Sequence, residues 1–222
     1  MSRRSTDRGP ATRAPEDALA QLARLGSATV YEGGGRGGYV DADLIQIVPG
    51  SQVAGPARTV RCGQDDNLMV HAVMERLQPG EVLVLTMPEP APVALLGDLL
   101  ATQAKVRGAA AVLVDASVRD SEELADMGLP IWARWIRSRG ATKDVVGELD
   151  VPVTVGGAEI RPGDLVVLDA DGVTVVAAER AEYVLQASRA REEKEAAKRA
   201  KLQAGELSYE LDRLREVVEG AR

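Results

Sequence analysis

EVLVLTMPEPAPVALLGDLLATQAKVRGAAAVLVDASVRD, residues 81–120, is the stretch that decides the fold. It begins with a buried-strand pattern from Glu81 to Thr86, which a proline-rich loop ends. A helix from Gly97 to Arg107 follows, stopped by Gly108, and then a second strand from Ala109 to Val114. Strand, helix and strand in this order are typical of an alternating β and α layer. The stretch therefore predicts an α/β fold.

The alternation continues on both sides of this stretch. Upstream, Gln52 to Arg61 has the pattern of a strand, and an apolar-periodic helix follows Asp65-Asp66-Asn67 and reaches Leu77. Downstream, a short helix from Glu122 to Met127 leads into a strand at Pro130 to Ala133.

A different pattern begins after Gly147. Four short apolar segments are separated by glycine-containing turns, at Val151 to Val155, Glu159-Ile160, Leu165 to Leu168 and Val173 to Val176. This spacing predicts an antiparallel β layer added to the alternating core.

The chain is expected to have three parts. Residues 1–15, rich in Arg, Pro, Ser and Thr, are expected to be a flexible tail. Residues 16–177 form the α/β domain, which opens with an amphipathic helix that Gly26 stops. Residues 178–222 form a helical extension with one long charged helix from Ala178 to about Leu202. Since a polar helix gains little by burial on its own domain, we expect it to pack on a neighbouring subunit.

Charge and cysteine usage exclude several classes of protein. The formal net charge is -7 with a pI near 5.0, which argues against a nucleic-acid partner. Cys62 is the only cysteine, so no intrachain disulfide can form, and a reducing, cytoplasmic compartment is expected. No window offers eighteen uncharged apolar residues, so no membrane contact is expected.

The chemistry-bearing residues stand at two places, Gly97-Asp98-Leu99-Leu100 and Arg119-Asp120. Twenty residues lie between Asp98 and Arg119, and the sequence alone does not show that they meet. If they do, the first-turn amides of the helix and the Arg119 guanidinium can bind one carboxylate together. Asp120 would be a hard oxygen ligand, and with one histidine and one cysteine in the chain the metal would be Mg²⁺ or Mn²⁺ rather than zinc.

This spacing resembles the signature of the 4-hydroxy-4-methyl-2-oxoglutarate/4-carboxy-4-hydroxy-2-oxoadipate aldolases, which share the fold of the regulator of ribonuclease activity A. Further similarities lie between about Leu22 and Arg215. They include Val53 to Ala57, Asp66-Asn67-Leu68, Lys143, the Gly156-Gly157 to Gly163-Asp164 segment and the Lys194-Glu195 region. The segment from Trp132 to Lys143 resembles the carboxy-hydroxy-oxoadipate branch.

The resemblance implies a swivelling β/β/α sandwich with a long C-terminal helix, assembled as a homotrimer or homohexamer with the active site between subunits. It implies a class II, metal-dependent aldolase, a carbon–carbon lyase acting on a small 2-oxo acid, with oxaloacetate decarboxylation as a side activity. Gly97, Asp98, Leu99, Leu100 and Arg119 would bind substrate and Asp120 the Mg²⁺ or Mn²⁺. Asp98, Arg119 and Glu195 would be catalytic, Glu195 coming from the adjacent subunit, with Glu192 as the other match.

Two alternatives remain open at this point. A lysine Schiff base would replace the metal, although no lysine stands in a plainly buried stretch. A non-catalytic regulator of ribonuclease activity would share the fold, but such regulators lack the acidic pair that corresponds to Asp98 and Asp120.

Other conspicuous residues are interpreted as structural. His71 is predicted on an apolar helix face, Asn67 at a helix start, Cys62 in the core, and Trp132 in packing or an interface. Gly33 to Gly38 lacks the ending of a phosphate-binding loop and is predicted to be a plain mobile loop; the aldolases are less glycine-rich there.

Overall fold

The computed structural model describes residues 16–221, so the tail predicted at residues 1–15 lies outside the described residues. The helices are α1 (Glu16–Gly33), α2 (Leu68–Val73), α3 (Asp98–Val106), α4 (Ser121–Met127), α5 (Ala181–Gln203), α6 (Ser208–Leu211) and α7 (Leu214–Gly220). The strands are β1 (Ile45–Gln46), β2 (Val53–Arg61), β3 (Val82–Thr86), β4 (Ala94–Leu96), β5 (Ala111–Val118), β6 (Ile131–Ile136), β7 (Glu148–Leu149), β8 (Val153–Val155), β9 (Ala158–Ile160), β10 (Leu165–Asp169) and β11 (Gly172–Val176).

One large sheet organises the described residues, in the order β1-β6-β5-β3-β2-β10-β11. Strands β2, β3, β5 and β6 pair in parallel, as the alternation of strands and helices predicts. Strands β10 and β11 pair antiparallel, and β8 and β9 form a separate hairpin. The α/β fold class is therefore confirmed.

Strand β2 joins the two halves of the sheet. Its first half, Val53 to Pro56, pairs antiparallel with β10, whereas its second half, Ala57 to Arg61, pairs in parallel with β3. One apolar cluster packs the parallel strands against α2, α3 and α4, and a second fills the space between the parallel strands, β10, β11 and the β8–β9 hairpin. Side chains on both faces of the parallel strands are thus buried, which explains their continuous apolar sequences.

The sequence prediction was wrong about the middle of the chain in one respect. Strand β5 runs on to Val118, and a short strand, β4, precedes α3 where only a loop was expected. Ala94 pairs with Ser117 and Leu96 with Val118. A three-residue apolar run carries no periodicity of its own, so only its partner strand reveals it.

The first helix also differs from the prediction, because α1 kinks at Gly26 and then continues to Gly33. Gly26 has φ 81° and ψ 161°, outside the helical region. After the kink, the buried Asp169 carboxylate accepts hydrogen bonds from the Ser27 amide and the Ser27 hydroxyl, both at 2.6 Å. Asp169 therefore caps a helix restart from 142 residues away in sequence.

The C-terminal helix is present as predicted, from Ala181 to Gln203. Val184 and Leu185 are buried against α1, and most of the remaining turns are exposed. Its packing on a neighbouring subunit stays a prediction. No helix among residues 16–221 is long and apolar enough to span a membrane.

Replacing the cap should lower stability. We expect Asp169→Ala to reduce the free energy of unfolding by about 1–3 kcal/mol, because it leaves the Ser27 amide and hydroxyl without their buried acceptor. Urea denaturation followed by circular dichroism measures the change. Asp171→Ala, an exposed aspartate in the same turn, is the control. Equal loss in the two variants would contradict the capping role.

Candidate active site

The two predicted halves of the site meet where β4 and β5 end side by side. The Arg119 amide donates a hydrogen bond to the Leu96 carbonyl at 3.1 Å, directly after the last pair of this short ladder. The chain therefore leaves β4 into the start of α3 beside the residue where β5 leads into α4. The structure thus brings Gly97 to Leu100 together with Arg119 and Asp120.

A glycine allows a close approach at the point of contact. The Asp98 amide donates to Asp120 Oδ2 at 3.1 Å, and Arg119 Nε lies 3.5 Å from the same oxygen. A Cβ atom at Gly97 would stand 2.6 Å from Asp120 Oδ2 and 3.0 Å from Arg119 Nε. Any larger residue at this position would push the carboxylate and the guanidinium apart.

The start of α3 supplies hydrogen-bond donors. Gly97 is its N-cap in an extended conformation, so the amides of Leu99 and Leu100 lie in the first turn, where helix amides lack intrahelical acceptors. The helix dipole adds partial positive charge at this end. The Leu100 side chain is buried in the core, whereas the Leu99 side chain is exposed to solvent. The first turn is therefore packed against the core through Leu100 and accessible at Leu99. Together with Arg119, this end of α3 can bind an anion.

Asp120 is held in an unusual backbone conformation. Its φ of 56° and ψ of 45° lie in the left-handed region, which costs a non-glycine residue free energy, and its carbonyl accepts the Leu124 amide to begin α4. Its carboxylate is one-third exposed and borders an open cleft of about 330 Å³ with Ile136 and Arg137.

The oxygen donors suit one kind of metal. No cluster of three His, Cys, Asp or Glu side chains that could hold a metal occurs within residues 16–221. Mg²⁺ commonly uses one or two carboxylates and keeps several waters, so a site on Asp120 alone fits its chemistry. The metal site on Asp120 stays a prediction.

A second cleft, of about 140 Å³, is also lined by Arg119. It is lined by Asn67, His71, Ala94, Gly97, Asp98, Leu99, Leu100, Arg119, Ala141 and Lys143. Every predicted substrate-binding residue borders it. We call it the substrate cleft.

Three polar lining residues were not predicted as site residues. His71 was interpreted as a structural histidine on an apolar face, but its side chain is exposed and borders the substrate cleft. Burial and then the nearby Lys143 charge lower the pKa of His71. Asn67 was interpreted as a helix-start residue, and Lys143 carried a family similarity but no assigned role. Asn67 follows the loop at the carboxyl end of β2, and residues after such strand ends share one edge of the sheet.

Asp66, and not Asn67, supplies the side-chain hydrogen bond at the start of α2. Asn67 makes no side-chain cap; its Nδ2 donates to the Leu95 carbonyl at 3.1 Å, and its Oδ1 has no partner among the described residues. Instead, Asp66 Oδ1 accepts the Leu68 amide at 2.8 Å.

Asp66 is a buried carboxylate that ties two segments together. Besides Leu68, its Oδ2 accepts the Thr142 hydroxyl at 2.7 Å and the amides of Asp144 and Val145 at 2.6 and 3.1 Å. Burial opposes ionisation, but these four hydrogen bonds outweigh it and lower the pKa of Asp66 to about 2.

The predicted glutamates lie elsewhere in their own chain. Glu195 pairs with Arg191 at 2.9 Å on α5, and Glu192 pairs with Arg24 at 2.6 Å. Neither borders the substrate cleft of its own chain. A role for Glu195 in the site of an adjacent subunit stays a prediction.

Cys62 and Trp132 are core residues. Cys62 is buried, and its burial raises the pKa of the thiol to about 12, so it is no nucleophile. Trp132 is buried and donates its indole N–H to the Asp169 carbonyl at 2.9 Å. Packing, the first of the two predicted roles for Trp132, is the one observed.

The Asp66 network should make stability depend on acid pH. Because the pKa of Asp66 is lowered on folding, its stabilisation is present above about pH 3.9, the unfolded value, and is lost as pH falls toward 2. We therefore expect Asp66→Asn to melt below the wild type at pH 6 and the gap to close between about pH 4 and 2. Thermal melts across this range measure it. A constant gap would show that the charge of Asp66 is irrelevant.

Comparisons with known proteins point to one family. A protein of Halalkalibacterium halodurans named "Putative 4-hydroxy-4-methyl-2-oxoglutarate aldolase" is 41% identical over 135 residues, which make up 61% of this chain and 64% of that protein. This chain thus covers less than two thirds of that relative's length.

Two solved structures are similar in fold and sequence. Streptomyces coelicolor RraAS2, described as an unusual member of the RNase ES inhibitor RraA protein family, has a TM-score of 0.75 and 33% identity, covering 86% of this chain and 99% of that one. The RNA-processing inhibitor RraA from Thermus thermophilus has a TM-score of 0.63 and 31% identity, covering 68% and 91%. The profile of one family matches residues 22–175, more than half of the chain, and the protein therefore belongs to the RraA-like family, Aldolase/RraA.

Proposed function

We propose that the protein is a divalent-metal-dependent pyruvate aldolase. Its substrates would be 4-carboxy-4-hydroxy-2-oxoadipate, cleaved to pyruvate and oxaloacetate, and 4-hydroxy-4-methyl-2-oxoglutarate, cleaved to two pyruvates. The observation that carries the proposal lies at the N-terminus of α3. There the Asp98 amide and Arg119 both contact one carboxylate oxygen of Asp120. The name of the Halalkalibacterium relative supports the same activity.

Binding would use the pyruvyl part of the substrate. The C1 carboxylate lies against Arg119 and the first-turn amides of Leu99 and Leu100, where a guanidinium and backbone donors act together. Gly97 lets the substrate approach the backbone, since it carries no side chain. This grip would orient the C3–C4 bond within the substrate cleft.

The reaction removes the proton of the C4 hydroxyl and breaks the C3–C4 bond. The C4–O bond becomes a carbonyl, the electron pair of the broken bond moves into the C2–C3 enolate, and C3 then takes a proton to give pyruvate. Asp98, which borders the substrate cleft, would take the hydroxyl proton through a water. Arg119 would stabilise the negative charge that develops on the pyruvyl oxygens.

Asp120 would hold the Mg²⁺ or Mn²⁺, which supplies Lewis-acid stabilisation of the enolate. Its carboxylate suits this task because Oδ2 is fixed by the Asp98 amide while the side chain stays partly exposed beside an open cleft. The same enolate chemistry would decarboxylate oxaloacetate. A homotrimer or homohexamer would bring Glu195 of an adjacent copy to the site.

A second function is favoured by the two RraA structures, which are described as ribonuclease or RNA-processing inhibitors. A protein-binding regulator would not need Asp98 and Asp120 in contact with a helix N-terminus. This chain has both, and for this reason we favour the enzyme. Inhibition of an RNase E-type ribonuclease by the purified protein, without any aldolase turnover, would establish the regulator instead.

Removing the proposed metal ligand should abolish turnover. We expect Asp120→Asn to lower Mg²⁺-dependent cleavage of 4-hydroxy-4-methyl-2-oxoglutarate by about 100-fold or more, because charge stabilisation in the transition state is lost. A lactate dehydrogenase-coupled assay on chelator-treated protein with added Mg²⁺ measures it. Asp126→Asn, an exposed aspartate on the same helix, should stay near wild type. Full activity of Asp120→Asn would refute the metal assignment.

Filling the glycine contact should also inactivate the enzyme. In Gly97→Ala the new methyl group would meet Asp120 Oδ2 at 2.6 Å, so the carboxylate or Arg119 must move. We expect kcat/KM to fall by about 100-fold, since small displacements of catalytic groups are costly. Gly37→Ala, at a site with nothing within 4 Å of a Cβ, is the matched control. Equal activity of the two variants would contradict this reading of the contact.

A further inference from the structure

Resting on the proposed function, we propose that Lys143 selects substrates with a second carboxylate on carbon 4, and that Asp66 is the residue that positions it. The substrate cleft would then bind a dicarboxylate in two places. Arg119 and the start of α3 hold the C1 end, and Lys143 holds the carboxylate that distinguishes the longer acids.

The charges around the substrate cleft favour a second anion. Its lining includes two cationic side chains, Arg119 and Lys143, and one carboxylate, Asp98. Arg119 already has Asp120 as an ionic partner at 3.5 Å. Within residues 16–221 no carboxylate lies within 4 Å of the Lys143 amine, whereas nine arginines and one lysine elsewhere in that range have partners within 3 Å. Lys143 therefore presents an uncompensated positive charge at the edge of the cleft.

Lys143 has a titratable neighbour in the cleft. His71 also borders the cleft, and after burial the Lys143 ammonium is the cause that lowers the pKa of His71. Both effects favour the neutral form of the His71 ring. Its ring can still offer one N–H donor beside Lys143.

The backbone of Lys143 is fixed on both sides by Asp66. The Thr142 hydroxyl and the Asp144 amide, on either side of Lys143, both donate to Asp66 Oδ2, at 2.7 and 2.6 Å. The Thr142 carbonyl accepts the Asn67 amide at 2.9 Å. The segment that carries Lys143 is therefore tied to the start of α2. These hydrogen bonds fix the backbone position from which the Lys143 side chain extends.

The chemistry of the lysine side chain explains the choice of ligand. An ammonium is a compact point charge on a flexible stem, so it accepts a carboxylate in several orientations. Arg119, with its planar fork, suits the fixed geometry at the C1 end. An acid with only a methyl group on carbon 4 beside its hydroxyl and hydrogen would leave Lys143 without an ionic partner in the cleft.

The test compares two substrates in one assay. The wild type should cleave 4-hydroxy-4-methyl-2-oxoglutarate about 10- to 100-fold more efficiently than 4-hydroxy-2-oxopentanoate, which lacks the second carboxylate. Lys143→Met should remove most of this preference by raising KM for the dicarboxylate, and Lys143→Arg should restore part of it. Lys201→Met, an exposed lysine on α5, is the matched control and should keep the preference.

A second measurement separates recognition from general damage. Exchange of the pyruvate methyl protons in D₂O, followed by NMR, requires the C1 end of the cleft but no second carboxylate. Lys143→Met should lower this exchange far less than it lowers cleavage of the dicarboxylate. Asp66→Asn should lower the substrate preference while keeping the exchange, as expected for a positioning residue rather than one whose loss unfolds the site.

The possible failures are distinguishable. If the wild type neither cleaves the hydroxy acids nor exchanges pyruvate protons, the proposed function fails and this inference with it. If the wild type cleaves both acids equally well, or if Lys143→Met lowers exchange and cleavage in parallel, the inference is overturned while the aldolase stands. An unchanged substrate preference in Asp66→Asn would contradict the positioning role of Asp66 and leave the role of Lys143 standing.

Discussion

The parallel pairing of β4 with the end of β5 is the constraint on which the rest of the site depends. Two short ladder contacts, Ala94 with Ser117 and Leu96 with Val118, fix where the chain enters α3 and where it leaves β5. The backbone bond from the Arg119 amide to the Leu96 carbonyl then closes the corner. Because these are main-chain contacts, they hold the corner in place independently of the site's side chains.

That corner concentrates opposite charges at short range. One carboxylate oxygen of Asp120 accepts a hydrogen bond from the Asp98 amide and lies near the Arg119 guanidinium. The backbone of Asp120 itself is in the left-handed region. A non-glycine residue keeps a left-handed conformation only where its surroundings hold it there, and backbone strain of this kind is concentrated at functional sites. Gly97 is the residue that permits the arrangement, since a Cβ there would collide with both side chains.

The opposite wall of the substrate cleft is built by a different means. There a buried carboxylate, Asp66, binds the 142–145 segment through one hydroxyl and two amides, with Lys143 inside the segment. The corner at Gly97 thus relies on a backbone ladder, whereas this wall relies on a single charged side chain.

Membership of the RraA-like family is compatible with both proposed functions, the aldolase and the ribonuclease regulator. The presence of Asp98 and Asp120 is the reason for which we favour the aldolase.

The sequence by itself determined the α/β class, the antiparallel addition, the long charged helix and the residue types of the site, because these follow from local periodicity, turn residues and a motif of fixed spacing. It also predicted Gly97 and Asp120 as members of one site but could not show their contact. Only the tertiary structure decided that, since the pairing of β4 with β5 leaves no periodic signal in three residues. The same holds for His71 and Lys143, which stand seventy-two residues apart in sequence and border one cleft where Asp66 ties their segments together.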